Sequence, residues 1–265
     1  MYKNFSRQRN FRNPRTSRPN LDHTLVRTIQ ASQLKGKNPE TGPDSYAPQN
    51  RFEDLPISEL LKRNIISRNY LLPTPIQDQT ILPILQGRDI IGIANTGTGK
   101  TAAFLIPLID KVFKNKTEKV LIVTPTRELA TQIDDELRHF SKGMQIYSVL
   151  CVGGLSLFRQ KHELRLSHNF VIGTPGRLKD LVRQKVLDLT RFSIVVLDET
   201  DRMVDIGFID DIRYFISLLP RERQSLFFSA TVPAKVKEII RTFVRNPLTV
   251  SVKIDDTVDN IDQTI

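Results

Sequence analysis

The chain has 265 residues, a formal net charge of +10, 39% hydrophobic residues, one cysteine and no tryptophan. That length holds one α/β domain of about 200 residues plus extensions. No run approaches the roughly 20 apolar residues that span a bilayer, and the N-terminus lacks the apolar core of a secretory leader, which predicts an intracellular, cytoplasmic protein with no membrane partner. A single cysteine excludes an intrachain disulfide and a cysteine metal site; Cys151 reads as a small core residue. The four histidines, His23, His139, His162 and His168, show no ligand spacing.

Residues 1–20 carry Lys3, Arg7, Arg9, Arg12, Arg15 and Arg18 with no Asp or Glu, so most of the net charge sits in this arm. Tyr2, Phe5 and Phe11 are interleaved with the arginines. Such a segment cannot bury a core and is predicted to be disordered. Arginine forks and aromatic faces suit phosphates and unstacked bases, which makes it a candidate arm for single-stranded RNA. The plainer alternatives are a solvated basic tail and, less well matched in its apolar periodicity, a mitochondrial presequence. Residues 21–50 read as a linker. Within it, Asp22–Gln33 could form a short helix on Leu25, Val26 and Ile29, and Lys35–Asn50 is punctuated by Gly36, Pro39, Gly42, Pro43 and Pro48.

From Arg51 the pattern changes to that of a packed domain, 51–252, with 253–265 beyond it. Short apolar runs predict strands at Asp89–Ala94, Val120–Thr124, Gln145–Cys151, Phe170–Gly173, Ile194–Leu197, Ser225–Ser229 and Leu248–Val252. Amphipathic stretches between them predict helices at Thr101–Phe113, Arg127–Phe140, Leu157–Leu166, Arg177–Arg183 and Ala234–Phe243. Alternation of this kind predicts an α/β fold, a largely parallel sheet with helices on both faces. Right-handed crossovers would bring the carboxyl ends of the strands to one rim. Tyr70–Gln77, taken from its residues alone, is a proline-ended loop without a function. There is no internal repeat.

The first predicted strand runs into Ala94-Asn95-Thr96-Gly97-Thr98-Gly99-Lys100-Thr101. A strand that breaks into a Gly-rich turn ending in Lys-Thr is suited to phosphates. Gly97 and Gly99 let the backbone curl so that N–H groups converge where a side chain would block an anion. The helix opening at Lys100 directs its N-terminal dipole at the same point. Lys100 can reach the outer phosphates and the Thr101 hydroxyl can ligate Mg²⁺. The general pattern starts with Gly where this chain has Ala94.

About a hundred residues on, the β-branched run Ser193–Leu197 ends in Asp198-Glu199-Thr200-Asp201. Acids at the carboxyl end of a buried parallel strand lie where such a sheet meets its ligand. Asp198 is placed to hold Mg²⁺ and Glu199 to orient or deprotonate an attacking water. The plainer reading is a cluster that caps a helix beginning near Arg202.

Further motifs follow in order: Phe52 and Tyr70-Leu-Leu-Pro-Thr-Pro-Ile-Gln77, Pro125-Thr-Arg-Glu-Leu-Ala130, Gly153-Gly154, Thr174-Pro-Gly-Arg177 and Ser229-Ala-Thr231. With the phosphate loop and the acidic turn, this series resembles the first RecA-like domain, a P-loop NTPase fold, of DEAD-box ATP-dependent RNA helicases. The resemblance extends over roughly Arg51 to Val252, and wording such as ANTGTGKTAAFLIPL and DRMVDIGF is of bacterial type. It implies binding and hydrolysis of ATP with Mg²⁺, coupled to RNA binding of low sequence specificity and local unwinding of duplexes. Gln77 then resembles the residue that reads adenine, since an amide both donates and accepts. Phe52 stands where an aromatic stacks on that base. Thr126, Arg127, Gly154, Thr174, Gly176 and Arg177 resemble the set that holds the RNA backbone. Asp201, Ser229 and Thr231 resemble the group that couples the ATP site to RNA.

The chain departs from the family at Arg68-Asn69-Tyr70, where Gly-Phe or Gly-Tyr is usual, and at Thr200, where the family has Ala; both should be tolerated. The resemblance also implies a second RecA-like domain, absent from this chain, that supplies arginines to the ATP site and half of the RNA groove. The tail Asp255–Ile265 resembles the link leading to it. The alternatives are an ATP-regulated RNA clamp or annealing factor that does not unwind, a related DNA helicase, and a different P-loop enzyme such as a small-molecule kinase, which has no use for PTRELA, TPGR and SAT in series.

Overall fold

The computed structural model describes residues 46–252. The basic arm, the expected helix Asp22–Gln33 and the tail Asp255–Ile265 lie outside the described residues. Seven strands form one parallel sheet: β1 (Ile90–Ala94), β2 (Val120–Val123), β3 (Ser148–Cys151), β4 (Phe170–Gly173), β5 (Ile194–Leu197), β6 (Gln224–Ser229) and β7 (Leu248–Val252). Their order across the sheet is β3-β4-β2-β5-β6-β1-β7. Runs such as Ile-Ile-Gly-Ile-Ala and Val-Leu-Ile-Val are buried on both sides, as parallel strands covered by helices must be. The predicted strand Gln145–Cys151 is shorter in the structure because Gln145 takes a left-handed backbone, φ 53°, that ends the extended run.

The period of two divides each strand between two cores. Ile90, Val120, Ile122 and Val196 pack into one; Ile91, Leu121, Val123 and Val195 pack into the other. The first core is covered by α1 (Glu59–Ser67), α2 (Pro75–Leu85), α3 (Lys100–Lys114) and α4 (Arg127–Phe140). The second is covered by α5 (Leu157–Arg165), α6 (Pro175–Arg183), α7 (Thr200–Ile206), α8 (Ile209–Leu218) and α9 (Ala234–Phe243).

Helices α1, α2 and α8 were not expected from the sequence, and α7 begins two residues before the expected start near Arg202. The expected loop at Tyr70–Gln77 is corrected in part. Its last three residues open α2, because Pro75 occupies the first helical position, where its fixed φ and missing N–H cost nothing. Asp78 then accepts hydrogen bonds from Gln49 N (2.7 Å) and Asn50 Nδ2 (2.9 Å), so the end of the expected linker is fastened to the domain. Gly92 lies under the ring of Phe228, where a Cβ would come within 2.5 Å of two ring carbons.

Candidate functional site

Strand order places the motifs in sequence along one rim of the sheet. From one edge inward come the turns after β3, β4, β2, β5, β6 and β1, carrying Gly153-Gly154, Thr174–Arg177, Thr126-Arg127, Asp198–Asp201, Ser229–Thr231 and the phosphate loop respectively. The acidic turn and the Ser-Ala-Thr turn therefore stand between the phosphate loop and the other three.

In the phosphate loop, Gly97 and Gly99 have φ of 86° and 93°, the left-handed values that glycine takes without strain. Ala94 has no positive φ and is buried as the last residue of β1, so the missing glycine is not needed there. Lys100 Nζ donates to the backbone oxygens of Ala94 (2.6 Å) and Asn95 (3.1 Å), and Thr98 Oγ1 donates to Asn95 O (2.8 Å). The ammonium thus fills the curl of the loop, where a phosphate oxygen would be its natural partner. Thr96 is exposed at the tip, and Thr101 opens the helix beside Lys100.

Gln77 meets this loop from α2. Its Oε1 accepts from Thr74 N (2.9 Å) and its Nε2 donates to Gly99 O (3.1 Å); the side chain is 1% exposed. Both ends of the amide are engaged within the protein, so Gln77 braces the phosphate loop in addition to whatever it offers a base. Phe52 requires a correction. It is 1% exposed, its ring packed edge-on to Tyr70 at 6.0 Å between centroids. Its faces belong to the core and are not presented to a ligand.

Asp198 ends β5 with its carboxylate buried, and its Oδ1 accepts from Glu199 N (3.0 Å). Burial pushes the Asp198 carboxyl up to about 7, with the nearby Lys100 charge drawing it back and Glu199 and Asp201 adding to the rise. A buried carboxylate with so little compensation suits a divalent cation. Among the described residues no three Asp, Glu, His or Cys side chains converge into a metal cage.

Glu199 has φ 49° and ψ 49°, an αL conformation that glycine favours and glutamate rarely takes. Its carboxylate lies 3.4 Å from Arg202 Nη1. Strain of this kind at an acidic residue on a strand end is characteristic of functional positions. Thr200, in place of the family's Ala, is fully buried, and its Oγ1 has no hydrogen-bond partner among the described residues.

Asp201 is joined to the next strand. Its Oδ2 accepts from Thr231 N (2.9 Å) and Thr231 Oγ1 (2.8 Å), and its own N–H donates to Ser229 Oγ (3.1 Å). Burial works to raise the Asp201 carboxyl, but the hydrogen bonds from Thr231, Ser229 and the Arg202 backbone outweigh it and hold the group below its ordinary value.

Beyond β5 the rim opens into a groove of about 440 Å³. Thr126, Arg127, Gly153, Thr174, Gly176 and Arg177 line it, bringing together residues that are up to about fifty positions apart in the chain. Helices α4, α5 and α6 all start at this end, after Thr126, Ser156 and Thr174, so three sets of helix N–H groups face the same region. Arg127 lies across Gly154, where a Cβ would fall 2.2 Å from its Nη1, and Arg177 Nη1 donates to Leu155 O (3.3 Å). Glu128, Asp180 and Phe208 also line the groove and were given no role from the sequence; Glu128 stood inside a motif and Phe208 ended the stretch DRMVDIGF. Cys151 is buried, as expected, and desolvation pushes its thiol up to about 12. Among the described residues no helix is long and apolar enough to cross a membrane.

A family model described as DEAD/DEAH box helicase matches residues 74–239. The chain is 40% identical over 215 residues to an ATP-dependent RNA helicase CshA of Limosilactobacillus reuteri, covering 80% of this chain and 43% of that protein. It is 40% identical over 201 residues to a DEAD-box ATP-dependent RNA helicase RhpA of Helicobacter pylori (strain B128), covering 76% and 41%. Among solved structures it resembles a DEAD box protein from the hyperthermophile Methanococcus jannaschii, with TM-score 0.74 and 32% identity, covering 77% of this chain and 56% of that one. A hypothetical ATP-dependent RNA helicase from Sulfolobus tokodaii gives TM-score 0.69 and 34% identity, covering 74% and 57%. The chain therefore spans less than half the length of the curated relatives it matches.

Proposed function

The chain belongs to the DEAD/DEAH box helicase family, and from that premise we propose that it forms the nucleotide-binding, RNA-contacting half of an ATP-dependent RNA helicase. The observation that carries this reading is the continuous rim: phosphate loop, acidic turn, hydroxyl–carboxylate link and the groove of Arg127 and Arg177 stand side by side on one parallel sheet.

ATP would lie on the loop N–H groups, with Lys100 leaving the Ala94 and Asn95 carbonyls for the outer phosphates. Thr101 and Asp198 would hold Mg²⁺, which neutralises charge on the phosphate oxygens when bound. Glu199 would accept a proton from the attacking water or orient it. Gln77, 1% exposed like Phe52, would steady Gly99 and would offer its remaining amide hydrogen and lone pair to adenine only once nucleotide binding uncovers it.

The groove would take the sugar–phosphate backbone of RNA. Helix N–H groups, small residues and arginines contact phosphates and hydroxyls rather than base edges, so sequence specificity should be low. Asp201, Ser229 and Thr231 lie between the two sites, and a shift of the Thr231 hydroxyl is the shortest physical link between them. A second RecA-like domain, supplied by the part of the relatives that this chain does not match, would close over both ligands and bring an arginine to the γ-phosphate. The reading includes a cytoplasmic setting.

The reading is tested by titrating a fluorescent ATP analogue with Mg²⁺ into residues 1–265 and into Lys100→Ala. Loss of the ammonium should weaken binding by roughly 1.5–3 kcal/mol, about ten- to a hundredfold. Equal affinities would refute the assignment of the loop.

A further inference from the structure

Phe158 is 83% exposed, an unusual position for the largest apolar ring on its helix, and Leu155 three residues earlier is 52% exposed. The packing of α5 explains why the ring points outward. Leu157 and Leu164 pack toward the second core, and buried Gln160 donates from Nε2 to Val152 O (3.0 Å). These three residues define the inward face at helical spacing, and a residue at 158 turns about 100° away from it. The core has no use for Phe158.

Its location is defined by the groove. Leu155 O accepts from Arg177, and Gly153 lines the groove directly. The three peptide units from 155 to 158 span at most about 11 Å, so the residue that carries the ring lies within that distance of Leu155, whose carbonyl is held by the groove residue Arg177. The first turn of α5 carries no acid, Ser156 Oγ caps it by accepting from Arg159 N (3.3 Å), and Arg159 and Lys161 flank the ring. Arg159 is paired with Glu163 at 2.7 Å, which leaves Lys161 as the nearby cation, and an exposed ring beside it, close in the chain to a groove that carries Arg127 and Arg177, fits an unstacked base better than a protein side chain.

We propose that Phe158 is a stacking platform for an unpaired base of the same strand whose backbone lies in the groove. The proposal rests on the reading of the groove as an RNA site. It adds a contact that selects single-stranded over paired nucleotides at this end of the site, without reading base identity, because every base has a stacking face.

The test measures binding of a labelled single-stranded oligoribonucleotide to residues 1–265 over a series of salt concentrations, for the unaltered chain, Phe158→Ala, Phe158→Tyr and Arg177→Ala. Phe158→Ala should weaken binding five- to a hundredfold with an unchanged salt slope, since no charge is removed, and Phe158→Tyr should bind as the unaltered chain does. Arg177→Ala should lower the slope by about 0.7. Oligomers carrying 5-iodouracil should photocrosslink to the peptide that contains Phe158. Equal affinity of Phe158→Ala alongside a weakened Arg177→Ala would overturn the stacking proposal and leave the groove standing. No RNA binding by the unaltered chain would bring down the reading of the groove itself. A change in self-association with RNA affinity untouched would assign the ring to a contact between copies, which also overturns the proposal.

Discussion

Gln77 Nε2 donates to Gly99 O at 3.1 Å, and a Cβ added to Gly99 would fall 2.4 Å from that same nitrogen. The amide and the glycine are fitted to each other, and through them α2 holds the turn that starts α3. Gln77→Ala should therefore weaken binding of ATP, GTP and inorganic triphosphate together, with an additional loss for ATP if the amide also reads adenine. Gly99→Ala should be more damaging, because it meets both the amide and a left-handed φ. Competition titrations with the three ligands separate the effects; an unchanged triphosphate affinity in Gln77→Ala would remove the bracing role.

Glu199 combines a carboxylate at the candidate catalytic position with a left-handed backbone. In a protein that joins this chain to the proposed second RecA-like domain, called the full-length protein below, Glu199→Gln should retain ATP binding and lose at least about a hundredfold in turnover. Glu199→Gly should be equally inactive yet no less stable, because glycine takes φ 49° without strain. A clear drop in the melting temperature of Glu199→Gly would show that the side chain, not the backbone, is what the fold needs there.

Gly92 is covered by Phe228, and a methyl group cannot enter without moving the ring. Phe228 packs in turn on Phe104 of α3, at 5.4 Å between centroids, so the displacement would pass to the helix that follows the phosphate loop. Gly92→Ala should cost about 1–3 kcal/mol in stability. Denaturant unfolding measures this directly, and a neutral result would mean that Phe228 has space to give way.

Cys151 provides a prediction in pH. Its thiol, ordinarily near 9.0, is raised to about 12 by desolvation. The folded state thus holds the proton more tightly than the unfolded one. The associated stability is complete below about 9 and is lost as pH rises toward about 12. A thiol reagent at pH 8 should label the unfolded chain quickly and the native chain very slowly, and rapid native labelling would show that this end of β3 opens to solvent.

The sheet was legible because β-branched runs alternated with amphipathic helices, and the phosphate loop because its glycines have the φ values that its spacing implied. Of the helices missed, α1 and α8 do carry an apolar face, Leu61 with Ile65 and Ile212 with Phe215, and only α2 gives a misleading signal. Pro73, Pro75 and Pro83 read as breakers, although Pro75 starts a helix and Pro83 lies within one. Phe52 was placed by resemblance on the adenine, whereas its burial follows from packing that only three dimensions show. Phe208, just before α8, and Asp180 of α6 reach the groove by tertiary approach, which no local pattern records. Arg223 precedes β6, at the end of the strand away from the rim, and donates to Pro220 O and Phe243 O, so it is not placed to serve the ATP site. Arg202 lies on the rim, 3.4 Å from Glu199.

The central claim is that one rim binds ATP and RNA and couples them. ATP turnover measured with and without RNA, on residues 1–265 and on the full-length protein, tests it most directly. Residues 1–265 should turn over ATP slowly whether or not RNA is present, because an arginine at the γ-phosphate contributes about 10³–10⁵ in rate. The full-length protein should be strongly stimulated by RNA, and Thr231→Ala should remove the stimulation while leaving ATP affinity in place. Turnover by the full-length protein that is indifferent to RNA would contradict the account.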